Sequence, residues 1–405
     1  ATKNMLDDYS PIIYKTTNNG KSWERIDKSF PRDEITRVLR VDKNNPDILY
    51  VGTETGLFLS FDDATTWSKL NSNLPVVPIY DIDIKDNNMI LATHGRSFWI
   101  LDDITAISQL NDDISDKSFI LKPTDTYRIL PPFGFRLFGT GPDNGKTYSA
   151  SLGSPVLIEK SKNPDGEVTV NYLDSGENPP MGVPIYFYLD SEINKAELII
   201  KDTKGKILKS FSNEDKKRKE TKVTKSFLPS KKENKFNPKK GFNTFVWDMY
   251  CEGPYKLEGE KLTEGLSGPM ALPGIYNVEI ITSNKNKSNS LKTEITLIKD
   301  PRVSASRKDL EDQFNLIQKV NQKLSELHNN VEVIRQNQSE ISDWISRSEN
   351  NANYNKIKSD GDKLIKTLKD IENLLVFTDY KGARDRLNNP VVLNVKLAGL
   401  LPVLD

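Results

Sequence analysis

Thr16-Thr17-Asn18-Asn19-Gly20-Lys21-Ser22-Trp23 and Ser60-Phe61-Asp62-Asp63-Ala64-Thr65-Thr66-Trp67 are one octapeptide written twice, 44 residues apart. Both read Ser/Thr-x-Asp/Asn-x-small-x-Ser/Thr-Trp, which is turn chemistry. The Asn or Asp side chain accepts backbone N–H groups, Gly20 permits a positive φ, and Trp23 or Trp67 packs its indole between strands. Ala64 replaces the glycine, so the second turn takes its shape without that freedom. The repeat continues: Gly52-Thr53-Glu54-Thr55-Gly56-Leu57-Phe58-Leu59-Ser60-Phe61-Asp62-Asp63 lies over Ala92-Thr93-His94-Gly95-Arg96-Ser97-Phe98-Trp99-Ile100-Leu101-Asp102-Asp103 at an offset of 40. Short β-branched or aromatic runs flank these turns, at 35–41, 48–52, 56–61, 67–70, 79–84, 89–93 and 97–101. A period of about 40–45 residues with four short strands is that of a β-propeller blade.

Residues 1–105 thus predict the last blades of a propeller, with the motif fading near Asp103. The ring does not close. Roughly 105 residues at about 42 per blade make two and a half blades, against the four to eight of a ring. The expectation is a chain that forms the end of a longer protein; the alternative is a ring completed by another copy.

Beyond this, residues 106–182 read as a linker or extension with irregular strands, rich in Pro and Gly at Pro131-Pro132 and 139–145. Residues 183–300 read as an Ig-like antiparallel β-sandwich, with strands at 183–189, 196–201, 207–211, 243–248, 274–281 and 291–298. Inside it, Glu214–Lys240 carries 11 Lys/Arg against 4 acids. That run is either an acidic-polymer or phosphate site, or a solvated insertion.

From Ser304 the period becomes helical, and residues 301–405 predict a helical hairpin or bundle. Leu310, Ile317, Leu324, Val331 and Ile345 form a seam interleaved by Val320, Leu327, Ile334 and Ile341. Ser306-x-x-Asp309 is its capping box. Ile357, Leu364, Leu368, Ile371 and Leu375 make a returning helix, and Pro390 opens a third with Leu393, Leu397 and Leu400 inward. His328 is expected on the flank of the long helix.

Composition excludes several functions. The 405 residues carry 57 Lys+Arg and 57 Asp+Glu, with no basic stripe interleaved with aromatics, so nucleic-acid binding has no electrostatic footprint. One Cys, Cys251, and two His, His94 and His328, permit neither a disulfide framework nor a Cys- or His-rich metal cage. No metal and no cofactor are expected, and no apolar run is long enough for a membrane span. Asp81, Asp83, Asp102 and Asp103 lack EF-hand spacing and read as turn or strand-end residues.

The octapeptides resemble Asp-box (BNR) repeats. The run from Leu49 through Asp62, then Asn73-Leu74-Pro75-Val76-Val77-Pro78 and Ala92–Asp103, is similar to bacterial sortilin-like propeller proteins, often labelled glycosyl hydrolases. Gly176-Glu177-Asn178-Pro179-Pro180 continues the resemblance, while Asn243-x-Phe245-x-Trp247-Asp248 and Pro273-Gly274-x-Tyr276-x-Val278 resemble the Ig-like domain of flagellar hook-capping proteins. Leu393-Asn394-x-Lys396-Leu397-Ala398 is similar to the C-terminal bundle. The resemblance implies an exported protein, extracellular, at the cell surface or periplasmic. Animal sortilins follow the propeller with a cysteine-rich module; this chain has a single Cys, so their sorting function does not carry over.

The repeat puts Glu54 in one blade and His94, Gly95 and Arg96 in the next at the same loop, on one face. Two readings stand. Arg96 recognises a carboxylate bidentately with Glu54 and His94 as polar partners, or Arg96 and Glu54 form an inter-blade salt bridge while His94 caps a turn. The leading expectation is binding of a peptide, protein or glycan, with the other domains docking a protein partner. A glycoside hydrolase with catalytic groups in further blades is the alternative. A structural subunit docking through the bundle is a third; it predicts an exposed Leu/Ile stripe along Leu310–Ile345.

Overall fold

The two octapeptides fold into the same turn, bond for bond. In the computed structural model of the chain, the Thr16 hydroxyl donates to Asn18 Oδ1 (3.1 Å) and accepts from the Gly20 amide (2.9 Å), and Asn18 Oδ1 accepts from Ser22 N (2.9 Å). Forty-four residues on, Ser60 Oγ donates to Asp62 Oδ1 (2.8 Å) and accepts from Ala64 N (2.8 Å), and Asp62 Oδ1 accepts from Thr66 N (2.8 Å). Ala64 does adopt the glycine conformation, with φ 73° against 84° at Gly20.

The structure describes residues 6–70, 73–111, 117–129, 145–151, 154–162, 168–173, 176, 179–214, 236–257, 266–284, 287–376 and 391–404. Pro131-Pro132, Glu177-Asn178, the core of the basic run at 215–235 and Pro390 lie outside them. The chain is β-rich and multidomain, with helices toward its C-terminus, and its contacts form two units. The first is Ala1–Thr124 with Ile129–Asp190; the second is Asp125–Arg128 with Ser191–Asp405.

The first unit begins with three antiparallel sheets. The first sheet pairs β1 (Tyr14–Lys15) with β2 (Glu24–Arg25). The second orders β3 (Thr36–Val41), β4 (Leu49–Thr53), β5 (Leu57–Ser60) and β6 (Ser68–Lys69), and the third β7 (Ile79–Lys85), β8 (Asn88–Thr93) and β9 (Phe98–Leu101). Alternation along the strands sends one set of side chains to each face. Ile13, Phe30, Val51 and Phe58 make one core, and Ile48, Tyr50, Leu57 and Leu59 make another with Ile79, Ile82, Met89 and Leu91. The middle sheet is therefore buried on both faces. Trp67 packs edge-on to Phe30, whereas the Trp23 indole lies across Gly20 and is mostly exposed, against expectation. No described sheet lies beyond the first to cover it.

A short helix α1 (Thr105–Ser108) follows, and its Ser108 hydroxyl donates to Asp42 Oδ2 (2.7 Å), as does the Tyr50 hydroxyl (2.6 Å). Burial and the bond to Asp42 hold the Tyr50 phenol above its ordinary range. β10 (Phe119–Ile120) pairs antiparallel with β15 (Val183–Leu189). Where irregular strands were expected, β12 (Gly145–Ser151), β13 (Ser154–Lys162) and β14 (Val168–Tyr172) form a regular meander.

In the second unit β16 (Lys195–Asp202), β17 (Ile207–Ser212), β18 (Gly241–Trp247), β19 (Gly274–Asn284) and β20 (Lys287–Lys299) occupy the expected strand positions. The largest sheet is not purely antiparallel, as expected of it: β11 (Thr126–Arg128) adds parallel to β20, in the order β11-β20-β19-β16-β17. Trp247 is fully buried, its Nε1 donating to Tyr250 O (3.1 Å).

α2 (Arg307–Arg347) starts at the expected capping box, with Ser306 Oγ accepting from Asp309 N (3.2 Å) and Asp309 Oδ2 from Ser306 N (2.7 Å). α3 (Tyr354–Leu375) returns along it, followed by α4 (Leu393–Ala398) and α5 (Leu401–Leu404). Leu310, Ile317, Val320, Leu324, Leu327 and Val331 are buried, against Leu397 and Leu401 among others. The exposed stripe that a docking subunit required is thus absent over this half of α2, because the chain's own segments cover it. His328 is fully buried, not on the flank, and its Nδ1 meets Tyr255 O at 2.5 Å. No described helix is long and apolar enough to cross a membrane.

Candidate functional site

The β4–β5 and β8–β9 loops repeat each other in detail. The Thr53 hydroxyl donates to Gly56 O (3.0 Å), and the Thr93 hydroxyl to Ser97 O (2.6 Å). Glu54 N donates to Ile35 O (3.2 Å), and His94 N to Pro78 O (2.9 Å). Glu54 and His94 therefore stand at one position of two equivalent loops, as the repeat implies. The second loop is one residue longer, Thr93 to Ser97 against Thr53 to Gly56, and the extra residue falls in His94-Gly95-Arg96.

Two residues missed in the sequence join these loops. Arg37, on β3, binds Glu54 through both Nε and Nη2. Arg37 is the extra residue where the register shifts between Thr36↔Thr53 and Val38↔Gly52, an irregularity that the sequence pattern does not announce. The Arg37 guanidinium also lies over the ring of Tyr80, 5.1 Å from its centroid, and Tyr80 stacks on His94 at 5.1 Å and 27°. The result is a line, Glu54–Arg37–Tyr80–His94, crossing from the second sheet to the third. Arg40 to Asp81 (2.6 Å) and the Lys43 ammonium to Ile84 O tie the same sheets further along.

The inter-blade salt bridge between Arg96 and Glu54 is not made. Glu54 is held by Arg37 from its own sheet. The Arg96 side chain is exposed and has no ion pair among the described residues; its carbonyl accepts from Trp99 Nε1 (3.0 Å). His94 and Tyr80 are also exposed, so a stacked aromatic platform and a solvated cation lie on the same loop end. Such a surface suits planar or anionic groups: a guanidinium forks onto a carboxylate, and aromatic faces stack on sugar or peptide planes.

Other reactive types are occupied structurally. Asp103 accepts from Thr105 N (3.1 Å) and the Thr124 hydroxyl (2.6 Å), closing a turn. Cys251 is buried, and burial pushes its thiol up to about 12, far from nucleophilic ionisation at neutral pH. Among the described residues no three His, Cys, Asp or Glu side chains come together as metal ligands would. Arg136, between Phe135 and Phe138, lies outside the described residues.

No family model and no curated protein matches the chain. Among solved structures, the crystal structure of an ancestral GH74 enzyme is similar over 51% of this chain, at 12% identity and a TM-score of 0.21, and the chain spans 36% of that enzyme's length.

Proposed function

We propose that the first three sheets are consecutive blades of an Asp-box propeller whose loop end binds an acidic peptide, protein or glycan, with the Ig-like and helical parts as accessory domains of an exported protein. The observation that supports this is the loop-end arrangement: Arg96 solvated without an ion pair among the described residues, beside a Tyr80–His94 stack fixed from behind by the Arg37–Glu54 pair. Arg37 has its charge committed to Glu54. Arg96 is the cation left for a ligand.

Binding is favoured over hydrolysis by the same geometry. Glycoside hydrolysis requires two carboxyl groups flanking the bond, one of them free to donate a proton. At this loop end Glu54 is bound by Arg37 and Glu34 accepts from the Thr55 hydroxyl (2.5 Å), so both carboxyls are engaged within the chain.

Glycan arrays and a displayed peptide library, screened with the wild-type chain and with Arg96→Ala, test the reading. Ligands selected by the wild type should carry carboxylates or sulfates, weaken at least about tenfold on Arg96→Ala, and weaken as salt rises. A selected ligand that binds Arg96→Ala as it binds the wild type removes the site.

A further inference from the structure

The two octapeptides differ in one chemically reactive position. Asn19-Gly20 in the first turn stands where Asp63-Ala64 stands in the second, and it is one of two Asn-Gly pairs in the chain, with Asn144-Gly145. Such a pair contains its own reactants. The backbone nitrogen that follows the asparagine can attack the side-chain carbonyl carbon, and glycine, lacking a Cβ, leaves that approach open.

In the folded turn the nucleophile is held back. The Gly20 N–H donates to the Thr16 hydroxyl at 2.9 Å, and Asn19 is fixed in the left-handed region at φ 56°. Asn18 is engaged at both side-chain atoms, its Oδ1 accepting from Ser22 N (2.9 Å) and its Nδ2 donating to Ser22 Oγ (2.7 Å). The Asn19 carboxamide takes no part in these bonds, and the residue is exposed. The electrophile is thus uncommitted while one hydroxyl ties off the nucleophile. Every bond concerned lies within residues 16–22, so the arrangement does not depend on what flanks the first sheet.

We propose that Asn19-Gly20 is a self-modification site, latched by the Thr16 hydroxyl, that deamidates when the turn opens. Hydroxide takes the Gly20 amide proton, the freed nitrogen forms a bond to Asn19 Cγ, and the Cγ–Nδ2 bond breaks as ammonia leaves with a proton from water. Water then opens the cyclic imide at either of its carbonyls. Opening at the side-chain carbonyl leaves an ordinary aspartate at position 19, which the turn accommodates: Asp63 holds the equivalent position at φ 53°. Opening at the backbone carbonyl leaves an isoaspartate, whose main chain is one methylene longer. The Thr16–Gly20 and Asn18–Ser22 bonds then cannot both re-form, so an opening of the turn is recorded irreversibly. The site involves neither the Arg96 loop nor its ligand.

Incubation of the full chain at mildly alkaline pH, followed by tryptic digestion and sequencing of the Thr16–Lys21 peptide by mass spectrometry, tests it. Conversion at residue 19 should be at least about tenfold slower in the native chain than in guanidinium chloride, and the product should contain both aspartate and isoaspartate. Thr16→Val, with folding verified by circular dichroism, should raise the native rate at least about threefold, and Thr16→Ser, which restores a hydroxyl, should return it to the wild-type value. Hydrogen exchange on the wild type reads the latch without any variant: the Gly20 amide should be protected. A native chain that converts as fast as the denatured one overturns the proposal, as does a denatured chain in which residue 19 stays asparagine. So does a folded Thr16→Val variant with an unchanged rate, or a Gly20 amide that exchanges as in a free peptide.

Discussion

At the scale of single residues, the turn octapeptide separates what is required from what is convenient. The left-handed conformation costs a residue with a Cβ about 1 kcal/mol or more relative to glycine, yet Ala64 sits at φ 73°. What holds it there is Asp62, which accepts from the Thr66 amide and hydroxyl and from the Ser60 hydroxyl, each at 2.8 Å. Gly20→Ala should therefore cost only about 1 kcal/mol in a urea titration, whereas Asp62→Ala, which strands three donors, should cost about 1–3 kcal/mol. Equal losses would mean that the glycine, not the carboxylate, builds the turn. Glu279 gives a second residue-level test. Hydrogen bonds from Lys201 and Ser290, against an opposing cost of burial and with help from Lys292, hold its carboxyl down at about 2. A carboxyl depressed in the folded state contributes stability above its unfolded pKa, about 4.3, and loses it as pH falls through the folded value. Stability should drop between about pH 4.5 and 2, and Glu279→Gln should flatten that segment of the profile; an unchanged profile would assign the drop to other carboxylates.

At the scale of elements, sheet stacking depends on one glycine. A Cβ on Gly52 would lie 2.7 Å from Val38 Cγ1 and 2.8 Å from Ile79 Cγ2, inside the core shared by the second and third sheets. Gly52→Ala should cost about 1–3 kcal/mol by overpacking, read as a lowered denaturation midpoint. Ala92 holds the equivalent position on the third sheet, where the face is open, and Ala92→Gly should change stability by less than about 1 kcal/mol. A Gly52→Ala variant as stable as the wild type would show that the two sheets slide freely. The strands themselves were legible, because β-branched runs between Asn, Asp and Gly turns leave few alternatives. Their alignment was less so. Matching Phe58 to Phe98 satisfied the letters, but the longer second loop shifts the register, and Trp99 takes the place of Phe58. A one-residue loop insertion moves every later side chain to the opposite face, and identity of residue type cannot report it.

At the scale of the whole molecule, periodicity exposed the long helix and its returning partner, and the capping box formed where Ser306 and Asp309 placed it. What periodicity could not show was the cover. An apolar seam reads the same whether a partner protein or the chain itself lies on it, and here Leu266, Leu397, Leu401 and Leu404 gather around Ile317, Val320 and Leu324. The candidate site was half legible for a similar reason: Glu54, His94 and Arg96 followed from the repeat, while Arg37 and Tyr80 entered only through pairing across strands and sheets. The covered seam makes a definite claim about stability. Leu324 is fully buried, so Leu324→Ala should cost about 2–5 kcal/mol and release amide protection in α2, α4 and α5 together, followed by hydrogen exchange. Trp344, on the far half of α2, is exposed, so Trp344→Ala should stay within about 0.5 kcal/mol of the wild type. If the order is reversed, with Trp344 the costly residue and Leu324 the silent one, then the seam is open in solution and the helical hairpin regains the docking role that its buried leucines deny it.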